Sequence, residues 1–242
     1  MTAAAILDPG RRMRTVAARR WHEQEPPEPF PALRETMVRE QIQARGVLDP
    51  RVLEAMRAVP RHLFVPADMA LESHADRPLP IGSGQTISQP YIVAAMAEAL
   101  GLTGAERVLE VGSGSGYMAA VLSLLALEVR AVELEPGLQQ KAAQVLARLG
   151  CSNVHLKCGD GRLGWPEHAP FDAILLSCAA PAIPPDLWDQ LAMGGRIILP
   201  MGEPDATQEL VVVRKTPAGS RVSRLMAVVF VPLRQGRDLP PD

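Results

Sequence analysis

The sequence predicts an α/β protein: a mostly parallel seven-stranded sheet with helices on both faces, preceded by an N-terminal helical segment. Three observations predict it. From residue 104 onward short apolar runs alternate with amphipathic stretches at helical spacing, as in parallel strands joined by right-handed crossovers. The first run, Val108 to Val111, enters a helix through glycines at alternate positions, Gly112, Gly114 and Gly116. The last two runs are separated by Thr216-Pro217-Ala218-Gly219, a turn by composition, and so add an antiparallel edge.

Arg11, Arg12, Arg14, Arg19 and Arg20 cluster near the start, and Pro26, Pro27, Pro29 and Pro31 follow. No apolar stretch follows the arginines, so a poorly ordered extension ending in a Pro-rich linker is expected rather than a secretory signal. From Leu33, Met37, Val38 and Ile42 describe an amphipathic helix that stops at Gly46. Asp49 caps a second helix, with Pro50 at its first position and Val52, Leu53, Met56 and Val59 inward. Residues 78–89 read as irregular, and Pro90 opens a helix through Leu100. The sheet region then reads as strand 107–111, a helix to about 126, strand 129–133, helix 137–149 and strand 154–158. Strand 171–177, a helix at about 185–192, strand 195–200 and the closing strands 209–214 and 222–231 complete it.

The chain has 242 residues, room for one α/β domain with a substantial core. With 47% hydrophobic and 21% charged residues the composition is that of an ordinary soluble globular protein. A net charge of −2 and the absence of a long basic tract argue against nucleic acid as a partner. No apolar run approaches a membrane span. Cys151, Cys158 and Cys178 have neither zinc nor disulfide-framework spacing and read as small buried residues in a reducing compartment, so no metal is expected.

In VLEVGSGSGY, Val108 to Tyr117, a dinucleotide fingerprint would need glycine at the first, third and sixth places. Tyr117 fills the sixth, and Gly116 occupies a place that fingerprint does not ask for. Glu133 ends the second strand, where a carboxylate accepts hydrogen bonds from ribose hydroxyls or is merely solvated. Asp160, after the third strand, either caps the next turn or orients an adenine amino group. Glu110 either braces the glycine loop or meets the methionine end of an adenosyl cofactor. Upstream, Ser88 reads as an N-cap with Pro90 in the first helical turn, although a helix N-terminus flanked by hydroxyls is also a carboxylate site. No histidine is placed to make Ser88 a hydrolase nucleophile.

The acid-x-Gly-x-Gly-x-Gly loop resembles that of the class I methyltransferases that bind S-adenosyl-L-methionine. Taken with PLPIGSGQTISQPYIVAAM, VPRHLFVP, GDG, APFDAILLSCAAPAIP and FVPL, it makes the chain, from about Leu33 to Leu233, similar to the protein-L-isoaspartate O-methyltransferase family. The resemblance implies a Rossmann-like class I methyltransferase fold. It also implies methyl transfer to the free α-carboxylate of L-isoaspartyl residues in damaged peptides and proteins, whose ester re-forms a succinimide and so begins repair. By position it implies Ser88 as the active-site residue, with Gln85, Thr86 and Ile87 in the substrate loop. Glu110, Gly112, Ser113, Gly114, Gly116, Glu133, Asp160, Gly161 and Gln208 would form the cofactor set. One domain is expected over 33–234, with its helical and substrate-loop part at 33–103 and its cofactor-binding sheet at 104–234, between an extension at 1–32 and a tail at 235–242. A cytoplasmic monomer acting on isoaspartyl peptides and proteins, with neither nucleic acid nor membrane as partner, is the expectation.

Three departures from the family pattern stand out. His74 replaces an aromatic two residues before Asp76, and reads as a surface or packing substitution. Val229 stands where relatives carry Arg before FVPL, and SCAAP replaces a Thr-containing version, leaving Cys178 as a candidate for alkylation. These leave two alternatives open: a class I methyltransferase for another carboxylate or small molecule, and a cofactor-binding protein without catalysis.

Overall fold

A computed structural model describes Trp21, residues 29–203 and residues 206–236. The extension expected over 1–32 and the tail over 235–242 fall largely outside those residues. Trp21 itself is buried, and its indole N–H donates to the Leu149 carbonyl.

Helix α1 (Phe30–Thr36) begins three residues before the expected start and continues as a π turn, Met37–Ile42, and a 3-10 turn, Gln43–Arg45. Met37, Val38 and Ile42 are fully buried, and Gly46 ends the path in the left-handed region at φ 96°. Helix α2 (Pro50–Ala58) has the expected cap, the Asp49 carboxylate accepting from the Arg51 N–H at 2.9 Å.

Residues 78–89 are more ordered than the sequence suggests. Strands β1 (Leu79–Gly82) and β2 (Gln85–Ile87) form an antiparallel hairpin. Its turn, Gly82-Ser83-Gly84, has positive φ throughout, at 99°, 52° and 68°. Leu79, Ile81 and Ile87 point into the core, but strands of three or four residues containing a proline carry too little periodicity to be read. Helix α3 (Pro90–Leu100) follows and stops at Gly101, as expected.

The main sheet has seven strands. In chain order its elements are β3 (Arg107–Val111), α4 (Tyr117–Leu125), β4 (Glu128–Glu133), α5 (Pro136–Arg148) and β5 (Val154–Cys158). Then come β6 (Phe171–Leu176), the short helix α6 (Pro185–Gln190), β7 (Leu191–Met201), β8 (Gln208–Thr216) and β9 (Gly219–Val228). The spatial order is β5-β4-β3-β6-β7-β8-β9, parallel from β5 to β7 and antiparallel at β7–β8 and β8–β9. From β3 the chain winds outward through β4 and β5, then returns to the other side of β3 at β6. That reversal opens a crevice above the carboxyl ends of β3 and β6, where open α/β sheets bind ligands.

Strand pleating divides the core in two. Val108 faces a core shared with the π turn Met37–Ile42 and residues of α2 to α5, whereas Leu109 and Val111 face a second core closed by Leu187 of α6 and by Trp165. Among the described residues no helix is long and apolar enough to cross a membrane.

Candidate active site

The glycine loop turns directly over the crevice. Gly112 and Gly114 have φ of 81° and 53°, a region that a side chain disfavours. The Glu133 carboxylate, itself buried, accepts from Gly114 N–H at 2.6 Å and from Glu135 N–H at 3.0 Å. It thereby ties the loop after β3 to the loop after β4. A Cβ on Gly114 would approach Ile81 Cδ1 to 3.2 Å, so the hairpin presses against this turn.

One cavity runs along these loops. Glu110, Gly112, Ser113, Gly114, Glu133 and Gly161 line it from the sheet side. Gln85, Thr86, Ile87 and Ser88 line it from the hairpin side, so most of the expected site residues share one wall-to-wall space. Two buried oxygens in that lining, Glu110 Oε2 and Ser113 Oγ, have no hydrogen-bond partner among the described residues. Buried polar atoms without partners are costly, and two of them beside backbone bared by glycine fit a polar ligand lying against this loop. Burial raises the pKa of the Glu110 carboxyl to about 8, and the Glu133 charge adds to the rise. The Ser177 hydroxyl, donating to Glu110 Oε1 at 3.4 Å, opposes it.

Three expected ligand residues have other work. Gly116 does not line the cavity; it starts α4 at φ 84°, and a Cβ there would lie 3.0 Å from Ala142 Cβ, so it permits α5 to pack closely. Asp160 caps the turn Gly161–Leu163, accepting from Arg162 N–H at 3.0 Å and pairing with its guanidinium, which holds the carboxyl below its usual range. Its neighbour Gly161 reaches the cavity, where a Cβ would clash with Val111 Cγ1 at 2.5 Å. Gln208 is fully engaged elsewhere: its amide donates to the Glu203 and Ala206 carbonyls and its oxygen accepts from Phe230 N–H at 2.9 Å. It braces the loop after β7 against the segment after β9.

Ser88 also differs from its local reading. Gln89 is the N-cap of α3, with no side-chain cap bond, and Pro90 is the first helical residue. The Ser88 hydroxyl is therefore not spent on capping. Ser88 lies between the first cavity and a second one of about 360 Å³ that shares Thr86, Ser88, Ser177 and Val231 with it. Pro78, Ile92, Val229 and Phe230 line the second space, and among the described residues no ionisable one lines it.

Ser177 and the strap Val231–Arg234 complete the first cavity, and the sequence alone does not point to either. The strap is held by backbone bonds of 2.8 Å between Ala179 and Val231 and between Leu233 and Ala179, and by an Arg234–Glu135 ion pair. Only the FVPL resemblance hinted at it, because these partners are far apart in sequence. Cys178 lines the cavity, but burial and the nearby Glu133 and Glu110 push its thiol well above the usual range, so it is a poor alkylation target. Cys158 is exposed rather than buried. His74 is buried, its ring within 6.3 Å of both Phe30 and His62, so it packs inside.

Comparison with known proteins agrees across sequence and structure. The profile of the protein-L-isoaspartate(D-aspartate) O-methyltransferase family matches residues 32–238. A protein-L-isoaspartate O-methyltransferase 2 of Anaeromyxobacter sp. (strain Fw109-5) is 59% identical over 203 residues, 84% of each chain. One of the same name from Shewanella sediminis is 52% identical over 200 residues, 83% of this chain and 82% of that one. A solved protein-L-isoaspartate O-methyltransferase aligns with a TM-score of 0.75 at 29% identity, over 84% of this chain and 66% of that chain. A structure described as that enzyme from Plasmodium falciparum, in complex with S-adenosyl-L-homocysteine, aligns with a TM-score of 0.70 at 26% identity, over 84% of this chain and 98% of its own.

Proposed function

Because this chain belongs to the protein-L-isoaspartate(D-aspartate) O-methyltransferase family, we propose that its joined cavities hold S-adenosyl-L-methionine on the glycine-loop side and an L-isoaspartyl residue on the hairpin side. The activity is methylation of the free α-carboxylate of that residue in damaged peptides and proteins. The ester then re-forms a succinimide, and repair follows. The observation that carries the reading is the junction itself: Thr86, Ser88 and Ser177, three hydroxyl-bearing residues, line both cavities.

Glu133 would hold the ribose hydroxyls, the backbone of Gly112 and Gly114 would lie along the cofactor, and Gly161 would leave room beside it. Glu110 and Ser113, with their unpartnered oxygens, would take its charged end. The bound cofactor supplies an electrophilic methyl group on a sulfonium. An ionised carboxylate is already a nucleophile near neutral pH, so no general base is needed. What the protein contributes is orientation and exclusion of water. The Ser88 hydroxyl donates a hydrogen bond to the acceptor carboxylate and fixes its approach, without becoming a covalent nucleophile.

The raised Glu110 pKa has a direct consequence for cofactor binding. Below about pH 8 the carboxyl is largely protonated in the empty enzyme, and a cationic ligand favours the ionised form. Affinity for S-adenosyl-L-methionine should therefore rise several-fold between pH 6.5 and 8.5 and level off above. Calorimetric titrations across that range check it, and a Glu110→Gln variant should flatten the profile.

Incubation with labelled S-adenosyl-L-methionine and paired peptides containing L-isoaspartate or ordinary Asp tests the activity. Base-labile label on the isoaspartyl peptide alone is expected. Label only on other acceptors would indicate a retargeted methyltransferase, and cofactor binding without transfer a non-catalytic protein. Free thiols at Cys151, Cys158 and Cys178 support a reducing, cytoplasmic location, and a monomer is the form we infer there.

A further inference from the structure

Arg61 is fully buried, and the carboxylate whose charge acts on it, Asp76, is paired with Arg45 instead. Its Nε donates to the Ser73 carbonyl at 2.6 Å and one terminal nitrogen, Nη2, donates to the Ser88 carbonyl at 2.7 Å. The guanidinium carbon lies 4.6 Å from the centre of the Tyr117 ring, the first residue of α4 after the glycine loop. The other terminal nitrogen, Nη1, is buried with no hydrogen-bond partner among the described residues.

As a device for stability this arrangement is poor. A buried cation with no direct ion pair among the described residues, and with one donor unsatisfied, is the kind of group that an apolar side chain of similar size commonly replaces at no loss. As a device for position it is effective. A planar fork bonded to two carbonyls and stacked on a ring has little freedom, and it joins the residue at the acceptor junction to the helix that leaves the cofactor loop. Ser88 itself lacks a capping bond that would hold it, since Gln89 is the N-cap of α3.

We propose that Arg61 is a positioning residue for methyl transfer, one that fixes the Ser88 backbone, and through it the Ser88 hydroxyl, relative to the glycine loop. This rests on the acceptor role of Ser88 argued above. A lysine at position 61 keeps the charge but cannot reach both carbonyls while lying over the ring.

The test is a double-mutant cycle in the full-length enzyme: wild type, R61K, S88A and R61K/S88A. Methylation kinetics are measured with an isoaspartyl peptide, and S-adenosyl-L-homocysteine affinity by calorimetry. We expect R61K to lower kcat at least about tenfold with cofactor Kd unchanged within about twofold. In the S88A background the same change should alter kcat less than about threefold, because effects transmitted through one group do not add. An R61K enzyme with wild-type kcat overturns the proposal, as does an equal loss in both backgrounds or a parallel loss of cofactor affinity. R61Q serves as the second variant, and failure of both to fold identifies a structural arginine and overturns it too. Wild-type enzyme inactive on isoaspartyl peptide overturns the Ser88 reading and this inference together, whereas active wild type with any adverse result above removes Arg61 alone.

Discussion

Replacing Ser88 with alanine lowers kcat for an isoaspartyl peptide by about 10- to 100-fold and leaves S-adenosyl-L-homocysteine affinity within about twofold. The magnitude is that of one hydrogen bond to a charged group, about 1.5–3 kcal/mol, made where geometry governs the rate. Fold stability changes little, because the hydroxyl caps no helix and makes no hydrogen bond with the described residues. Steady-state kinetics with a calorimetric Kd checks both halves. If cofactor affinity collapses with turnover, Ser88 belongs to the donor side and the acceptor assignment fails. An undiminished kcat would remove it from the mechanism altogether.

The second large effect is on the donor side. Glu133→Ala raises the Kd for S-adenosyl-L-methionine by about 100-fold or more, from the loss of two hydrogen bonds to an ionised acceptor. The variant also loses the bonds that this carboxylate accepts from Gly114 and Glu135, so the loops after β3 and β4 come apart. Glu133→Gln separates the two contributions. It keeps the shape, but an amide nitrogen turned toward Gly114 N–H sets two donors against each other, so loop order suffers even without a ribose present. Calorimetry gives the Kd, and a thermal melt of the empty protein reports the loop. Unchanged affinity in both variants would show that the carboxylate serves the fold alone.

Much of this was legible in the chain. Helix α3 and strands β3 and β5 fall at their expected residues, because each is a run long and periodic enough to outweigh local ambiguity. Glu133 and the glycines at 112 and 114 line one cavity, since strand, loop and acid are set by spacing along one crossover. What the chain did not show involves partners distant in sequence. Gln208 looked like a ligand from its place after a strand, but the loop at 203–206 and the N–H of Phe230 take its whole amide. Gly116 has the spacing of a ligand glycine, and the nearness of α5 is what requires it to lack a side chain. Ser88 had every local mark of a cap, and one residue of register in the turn before Pro90 gave that place to Gln89.

By itself the sequence determined the fold class, through periodicity within short segments, and the family, through the motifs it shares with that family. Tertiary structure decided that residues 79–87 pair as a hairpin, that β8 lies beside β7 with β9 at the edge, and that Ser88 stands between two cavities. It also decided that a buried Arg61 holds the Ser88 carbonyl. The physical reason is common to these. A hydrogen bond or a shared wall is a relation between surfaces that meet only after the chain has packed, and burial then determines which polar atoms keep a partner and which remain for a ligand.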